Sequence, residues 1–326
     1  MQENKMLKSV IVGCGQVAGG YDIDNGTINT HAKAYQMTYG VKLTAATDVN
    51  RSRAQLFSKQ WGLDQYYSDF ELMLHEQRPD IVSICTPDET HIDILKQCHK
   101  HQCVKAVWCE KPIATDMEEA KNIVRIYREK KIILAINYVR RWDLEFQQVG
   151  DLIKNGEIGI IKNTSLYYTK GICHNGSHAI DLFISWFGNM TGCEVFSGHV
   201  DFSMNDPTVS ARALFGKTPV FIIGLDERDY TIFEIDVLGS KGRIQITRKG
   251  INISSVGSDS EYDGYRMLYL NDNFFNKRKK DAIQIALENI VQTINNSANL
   301  IYDGENALKT LLCCNKIINL AEGKFS

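Results

Sequence analysis

Lys8-Ser9-Val10-Ile11-Val12-Gly13-Cys14-Gly15-Gln16-Val17-Ala18 is the stretch from which the fold is read. An apolar, β-branched run ends in glycines, as a buried strand does when it breaks into a tight turn before a helix. In the string Gly13-Cys14-Gly15-Gln16-Val17-Ala18 the glycines permit that turn and let the backbone approach a pyrophosphate at a helix N-terminus. By itself GxGxxA also describes any glycine-rich strand-to-helix turn. The strand directly before it is what favours a dinucleotide loop with Gly13, Gly15, Gln16 and Val17 against the phosphates.

Outward from this loop, short apolar runs recur at Val41 to Asp48, Ile81 to Cys85, Val104 to Cys109 and Ile132 to Tyr138. Helical patterns at Arg51 to Trp61, Asp69 to Gln77, His91 to His101 and Asp116 to Lys130 separate them, the last opened by Thr115 and Glu118 at the spacing of a capping box. Alternation of this kind predicts an α/β fold, a doubly wound parallel sheet with helices on both faces. After about residue 137 the grammar changes. Ile160 to Thr169, Gly192 to Phe202, Val209 to Phe215, Val220 to Leu225, Tyr230 to Leu238 and Gly242 to Thr247 follow one another as antiparallel strands do. Helical patterns fall at Asp143 to Lys154, Ser177 to Phe187, Asp281 to Asn296 and Gly304 to Ala321. The expectation is a nucleotide-binding Rossmann domain over 1–137 and, over 138–326, an α+β domain with a large, mostly antiparallel open sheet that binds substrate and supports a homodimer or homotetramer.

Composition narrows the partners. Of 326 residues 44% are hydrophobic and 23% charged, an ordinary globular balance, and the net charge of −2 with dispersed Lys and Arg argues against nucleic acid or a membrane surface. No apolar run reaches membrane-spanning length, and the opening MQENKML holds no signal-peptide core, so the expected location is cytoplasmic. Nine scattered cysteines read as reduced thiols. Cys98, His99, His101 and Cys103 could suggest zinc, but neighbours on a helix point about 100 degrees apart and cannot converge, so no metal is expected. Ser177 lacks a GxSxG elbow, which leaves acyl transfer unsupported. The basic run Lys277 to Lys280 reads as a solvated helix start.

Asp48 closes the second apolar run, where a carboxylate can accept both ribose hydroxyls of an adenosine and would repel a 2′-phosphate, favouring NAD over NADP. It stands 30 residues beyond Ala18 rather than the usual ~20, and an insertion over Tyr21 to Thr30 accounts for the excess. Arg51 and Arg53 follow closely and keep NADP open; a solvated helix face explains them equally.

Further motifs carry a specific resemblance. With the glycine loop stand Thr86-Pro87-Asp88 and His91 after the third strand, Cys109-Glu110-Lys111-Pro112-Ile113-Ala114 after the fourth, and Gly176-Ser177-His178-Ala179-Ile180-Asp181 in the second domain. Nearly end to end, the chain resembles the glucose-fructose oxidoreductase / inositol dehydrogenase family, Gfo/Idh/MocA. That resemblance implies an NAD(P)-dependent dehydrogenase or reductase acting on CH-OH groups of a sugar, inositol, sugar phosphate or nucleotide sugar. It also places the Glu-Lys-Pro segment beside the nicotinamide, with Lys111 contacting the substrate hydroxyl, and sets Thr86, Pro87, His91 and Glu110 around the cofactor.

The chemistry is consistent with those residue types. Oxidising an alcohol requires a side chain that takes the hydroxyl proton as hydride leaves carbon, and Lys111 and His178 can serve. Asp181, about one helical turn on, could orient the histidine ring or meet the substrate. Where the family often has an aspartate four residues before that histidine, this chain has His174, which changes how substrate hydroxyls are met. Arg140, Arg141 and Lys170 fit either a phosphate-bearing substrate, Arg141 foremost, or salt bridges. Two other readings stay open: an NAD-dependent glycosidase with transient redox, and a non-catalytic NAD-binding regulatory protein. A methyltransferase would share the glycine loop but leaves Glu110-Lys111-Pro112 unexplained.

Overall fold

The structure is a computed structural model that describes residues 6–22, 28–271 and 281–324. The chain divides into two compact units, Met1–Asp143 with Lys279–Leu308 and Leu144–Arg278 with Lys309–Ser326.

In the first unit the strands β1 (Leu7–Val12), β2 (Val41–Thr47), β3 (Gln65–Tyr67), β4 (Ile81–Ile84), β5 (Ala106–Cys109) and β6 (Ile133–Ile136) form one sheet. Its order is β3-β2-β1-β4-β5-β6, with every pair parallel. β1, β4 and β5 are buried nearly throughout, as strands covered on both faces must be. The helices are α1 (His31–Met37), α2 (Arg51–Trp61), α3 (Phe70–Gln77), α4 (His91–Cys98) and α5 (Met117–Lys130). The doubly wound sheet matches the sequence reading, with β3 and α1 as additions.

The expected capping box of α5 is not formed. Its N-cap is Asp116, whose carboxylate accepts from Glu119 N–H at 2.8 Å, one position later than the Thr115 and Glu118 pair. Asp ranks above Thr as an N-cap, and here it takes the orphan donor.

The glycine loop departs from a simple strand-turn-helix. Gly19 N–H bonds back to Gly15 O, so a first helical turn does form, but the chain then leaves the helix after Gly19 and rejoins its hydrogen-bond pattern at His31. His31 N–H and Ala32 N–H return to Val17 O and Ala18 O at 3.3 and 2.8 Å, which are the partners that the next turn would have had. The inserted segment is therefore an excursion, and α1 resumes the interrupted helix. Residues 23–27 of the expected insertion lie outside the described residues, as does Lys277 to Lys280.

The second unit carries α6 (Leu144–Lys154), β7 (Ile161–Tyr168), α7 (Ser177–Phe187), β8 (Met190–Ser203), β9 (Asp206–Phe215), β10 (Thr218–Gly224), β11 (Phe233–Gly239), β12 (Gly242–Thr247), β13 (Gly250–Ser258) and β14 (Arg266–Leu270). The eight strands lie in the order β14-β13-β12-β11-β7-β10-β9-β8, antiparallel except for β7 with β10. Alternate residues such as Leu166, Val209, Ala211, Ile222, Val237 and Ile244 face one buried core. Val149 of α6, Ile180 and Phe183 of α7, and Cys314 and Ile317 complete it.

The chain ends in α8 (Ala282–Ile294) and α9 (Gly304–Ala321). A single cut after residue 137 does not describe the units, because α8 returns to the first. Gln284 Nε2 reaches Met37 O at 3.3 Å, Asn289 Oδ1 accepts from Trp142 Nε1 at 3.2 Å, and Asp303 bridges Ala135 of β6. An amphipathic helix advertises an apolar face without saying which core will bury it.

Candidate active site

In a doubly wound sheet, ligands sit outside the carboxyl ends of the strands, near the point where strand order reverses. Here that reversal lies between β1 and β4. The carboxyl ends of β2, β1, β4, β5 and β6 deliver, side by side, Asp48, Gly13, Thr86, Glu110 with Lys111, and Asn137. Parallel registers bring Val12, Ile84, Cys109 and Ile136 level with one another, so their successors share one edge.

Gly13 has φ +87°, a conformation that side chains rarely adopt, and a Cβ there would lie 2.7 Å from the carbonyl oxygen of Cys85. Gly15 is exposed and meets nothing within 4 Å of where a Cβ would project, leaving the loop bare on its outer side. A tightly packed first glycine and an open second one are what a pyrophosphate approaching a helix N-terminus requires. Gln16 is exposed and Val17 half-buried on the same turn.

Asp48 is buried at the rim of this loop. Its Oδ2 accepts from Cys14 N–H at 3.0 Å and its Oδ1 from Asn50 N–H at 2.8 Å, while Arg53 Nη1 stands 3.5 Å off. Oδ1 keeps a second lone pair with which to accept from a ribose hydroxyl, whereas Oδ2 already meets both Cys14 and Arg53. Burial, with the Asp48 charge beside it, pushes the Cys14 thiol up to about 12, so that thiol stays protonated and acts as a packing group.

Glu110 and Lys111 occupy the loop after β5. Glu110 Oε1 accepts from Asn137 Nδ2 at 2.6 Å and faces His31 Nε2 at 3.0 Å. The His31 ring is fully buried, its centroid 3.8 Å from that of the Trp108 indole and tilted 36° to it, and Trp108 Nε1 donates to Asn137 Oδ1. Burial opposes ionisation of Glu110, but the hydrogen bond and charge of His31, the Asn137 amide and the charge of Lys111 outweigh it and hold the carboxyl below its ordinary value. The glutamate beside Lys111 is thus a fixed anion. His31 and Asn137 are site residues the sequence reading missed. Asn137 carried a signal, its place at the carboxyl end of a parallel strand; His31 carried none, because the excursion hides its helical register.

The Lys111-Pro112 peptide is cis, and His91 Nδ1 lies 2.7 Å from Pro112 O with Nε2 3.0 Å from Thr86 O. Thr90 Oγ1 lies 2.7 Å from both Thr86 Oγ1 and Pro87 O, closing the turn between them. Burial raises the half-buried Asp88 carboxyl against the opposing charges of His91 and Lys111. Arg141, on the 3-10 turn Val139–Arg141, holds its guanidinium 5.2 Å over the ring of Tyr302, and burial lowers its neighbour Arg140 to about 10.

In the second unit, β7 leads into a π turn, Gly171–Gly176, which runs directly into α7. A wide turn of this kind re-aims side chains at a helix start and recurs at functional sites. Asp206 organises it by accepting from Cys173 N–H and His174 N–H, both at 2.7 Å. The His174 ring is exposed and lies 4.6 Å from that of Phe202. His178 sits half-buried in the first turn of α7. Asp181, one turn further, is buried and accepts from Thr310 Oγ1 at 3.3 Å. At 2% exposure Asp181 is placed to hold structure rather than to meet a substrate hydroxyl. Lys170 pairs with Glu227 at 2.9 Å.

Comparison with known proteins agrees with the fold. Residues 7–138 match the model of an oxidoreductase family with an NAD-binding Rossmann fold, Gfo/Idh/MocA. Myo-inositol 2-dehydrogenase of Thermotoga maritima is 25% identical over 93% of this chain and 92% of its own. D-glucoside 3-dehydrogenase of Escherichia coli is 30% identical over 49% of this chain and 42% of its own. Several other curated relatives are likewise matched over less than half of their length. Among solved structures, the WlbA dehydrogenase from Bordetella pertussis, in complex with NADH and UDP-GlcNAcA, superposes with a TM-score of 0.78 at 17% identity, covering 98% of this chain and 96% of that one.

Proposed function

We propose that the chain, whose residues 7–138 match the NAD-binding Rossmann model of the Gfo/Idh/MocA oxidoreductases, acts as a member of that family and oxidises a carbinol carbon, or reduces the corresponding ketone, of a sugar, inositol, sugar phosphate or nucleotide sugar. The observation that carries this reading is the placement of Lys111: it follows β5 at the ligand edge of the sheet, between a glutamate held by two buried partners and a proline whose carbonyl is held by His91.

The nicotinamide cofactor, when bound, supplies the hydride chemistry. Gly13, Gly15, Gln16 and Val17 would receive its pyrophosphate, Asp48 its adenosine ribose, and Thr86, Pro87, His91 and Glu110 would flank its nicotinamide half. Asp48 favours NAD, and Arg53 beside it is the group that NADP would need. Lys111 binds the reacting hydroxyl and shares its proton, which general acid–base catalysis needs within hydrogen-bond reach. His178 is the second acid/base, and Asp181, buried one turn along α7, holds its helix in place. His174 and Arg141 contact substrate hydroxyls or a phosphate. The inositol and glucoside relatives support a polyhydroxylated substrate.

The open sheet would carry a homodimer or homotetramer, and the exposed Phe196 and Phe202 on β8 support that assembly. Light scattering tests it. The location proposed is the cytoplasm.

The deciding experiment follows absorbance of the reduced nicotinamide while protein and NAD or NADP meet a panel of sugars, inositols, sugar phosphates and nucleotide sugars, with Lys111→Ala alongside. A substrate-dependent rise absent from the variant is the expected result. Product release without net NADH would instead identify the glycosidase reaction, and tight NAD binding with no turnover in either direction would identify a non-catalytic binder.

A further inference from the structure

His91 opens α4 and is fully buried. Both of its ring nitrogens face carbonyl oxygens, Pro112 O at 2.7 Å and Thr86 O at 3.0 Å. A carbonyl oxygen can only accept. A neutral imidazole has one N–H and one bare lone pair, so in that form one of the two contacts would press lone pair against lone pair, out of reach of water. Only the doubly protonated ring donates to both.

We propose that His91 is kept as an imidazolium that staples the Thr86 loop to the Lys111-Pro112 loop, making it a positioning residue for Lys111. Its kinetic consequence rests on the reading of Lys111 given above; its charge state does not. The staple is needed where it stands. β4 and β5 are paired through Ile84 and Cys109, and Glu110 N–H still reaches Ile84 O at 2.9 Å, but beyond that point the two loops leave the ladder. The Thr86 side of the staple is also the wall of the nucleotide loop, since the Cys85 carbonyl and Thr86 Cγ2 fill the space beside Gly13. One ring therefore joins the wall of the cofactor loop to the loop bearing the proton-handling lysine. The half-buried Asp88 carboxyl feels the charge of His91 together with those of Lys111, Glu89 and Glu110, and Glu89 and Asp93 flank the histidine two positions away on either side.

The test is two-bond 1H–15N correlation of the histidine rings in the full-length protein at neutral pH, with and without NAD. His91 is assigned by its loss in His91→Gln, or by through-bond connection to its backbone if that variant does not fold. Protons on both ring nitrogens are expected, and one bare nitrogen overturns the proposal. In folded His91→Gln, whose neutral amide can supply no charge-assisted hydrogen bond, amide exchange at Lys111, Ile113 and Ala114 should quicken roughly tenfold or more. Unchanged exchange there would refute the staple. If His91 proves cationic while Lys111→Ala still turns over, the failure belongs to the reading of Lys111 and not to this one.

Discussion

Asp48 does two things with one carboxylate. It ties the glycine loop to the end of β2 through Cys14 N–H and Asn50 N–H, and it presents the remaining lone pair of Oδ1 at the rim. Asp48→Ala should therefore weaken NAD on the order of 10- to 100-fold, the worth of a hydrogen bond to a charged group, while NADP suffers less because a repelling charge has also gone. Dissociation constants for both cofactors check this, and an unchanged NAD to NADP preference would remove Asp48 from the ribose site. Lys111→Ala should lower kcat by about 10²–10⁴-fold, the contribution of a positioned acid/base, and leave NAD affinity nearly intact. Loss of NAD affinity with normal turnover of the remaining complex would refute that role. At this scale the sequence was informative about which residues stand at strand ends, as with Asp48, Glu110 and Lys111. It was silent on His31, whose partner Glu110 is 79 positions away and whose contact exists only because an interrupted helix resumes.

Elements were legible where periodicity was strong. Arg51–Trp61, Ser177–Phe187 and Gly304–Ala321 were all read in place. What escaped notice was short or poorly buried: β3 has three residues, α1 has seven, β13 buries one residue of its nine, and β14 is an edge strand whose five residues are all exposed, so no burial alternates along it. Cap placement was off by one at α5, and this offset is testable. Asp116→Ala should cost about 1 kcal/mol, the usual price of a lost N-cap, whereas Thr115→Ala, at an exposed position outside the cap, should stay within about 0.5 kcal/mol. Chemical denaturation of the two variants decides between the residues: a larger loss for Thr115→Ala would restore the capping box read from the sequence.

For the whole molecule the consequence of its partly buried carboxylates is a pH dependence of stability with opposing parts. Glu110 in the first unit is held below its ordinary value, near 4.5, by His31, Asn137 and Lys111 against the penalty of burial. Asp201 in the second is held below 3.8, since burial is again outweighed, by hydrogen bonds from Lys170 N–H, Thr208 Oγ1 and Glu227 N–H. A carboxyl depressed on folding contributes stability that is fully present above its unfolded value and is lost as pH falls through the folded one. Asp88 runs the other way: burial raises it, so in the folded state it binds its proton earlier than in the unfolded chain, and acid relieves a strain present at neutral pH. Tm should therefore fall as pH drops below about 4.5, the unfolded range of these groups. Glu110→Gln should begin with a lower Tm at neutral pH yet decline less steeply in acid, while Asp88→Asn should decline more steeply than the parent. Calorimetry of the three proteins across the acid limb measures both slopes. Parallel curves would mean that neither carboxyl changes its proton affinity on folding, and the anion beside Lys111 would then have to be held by something other than His31 and Asn137.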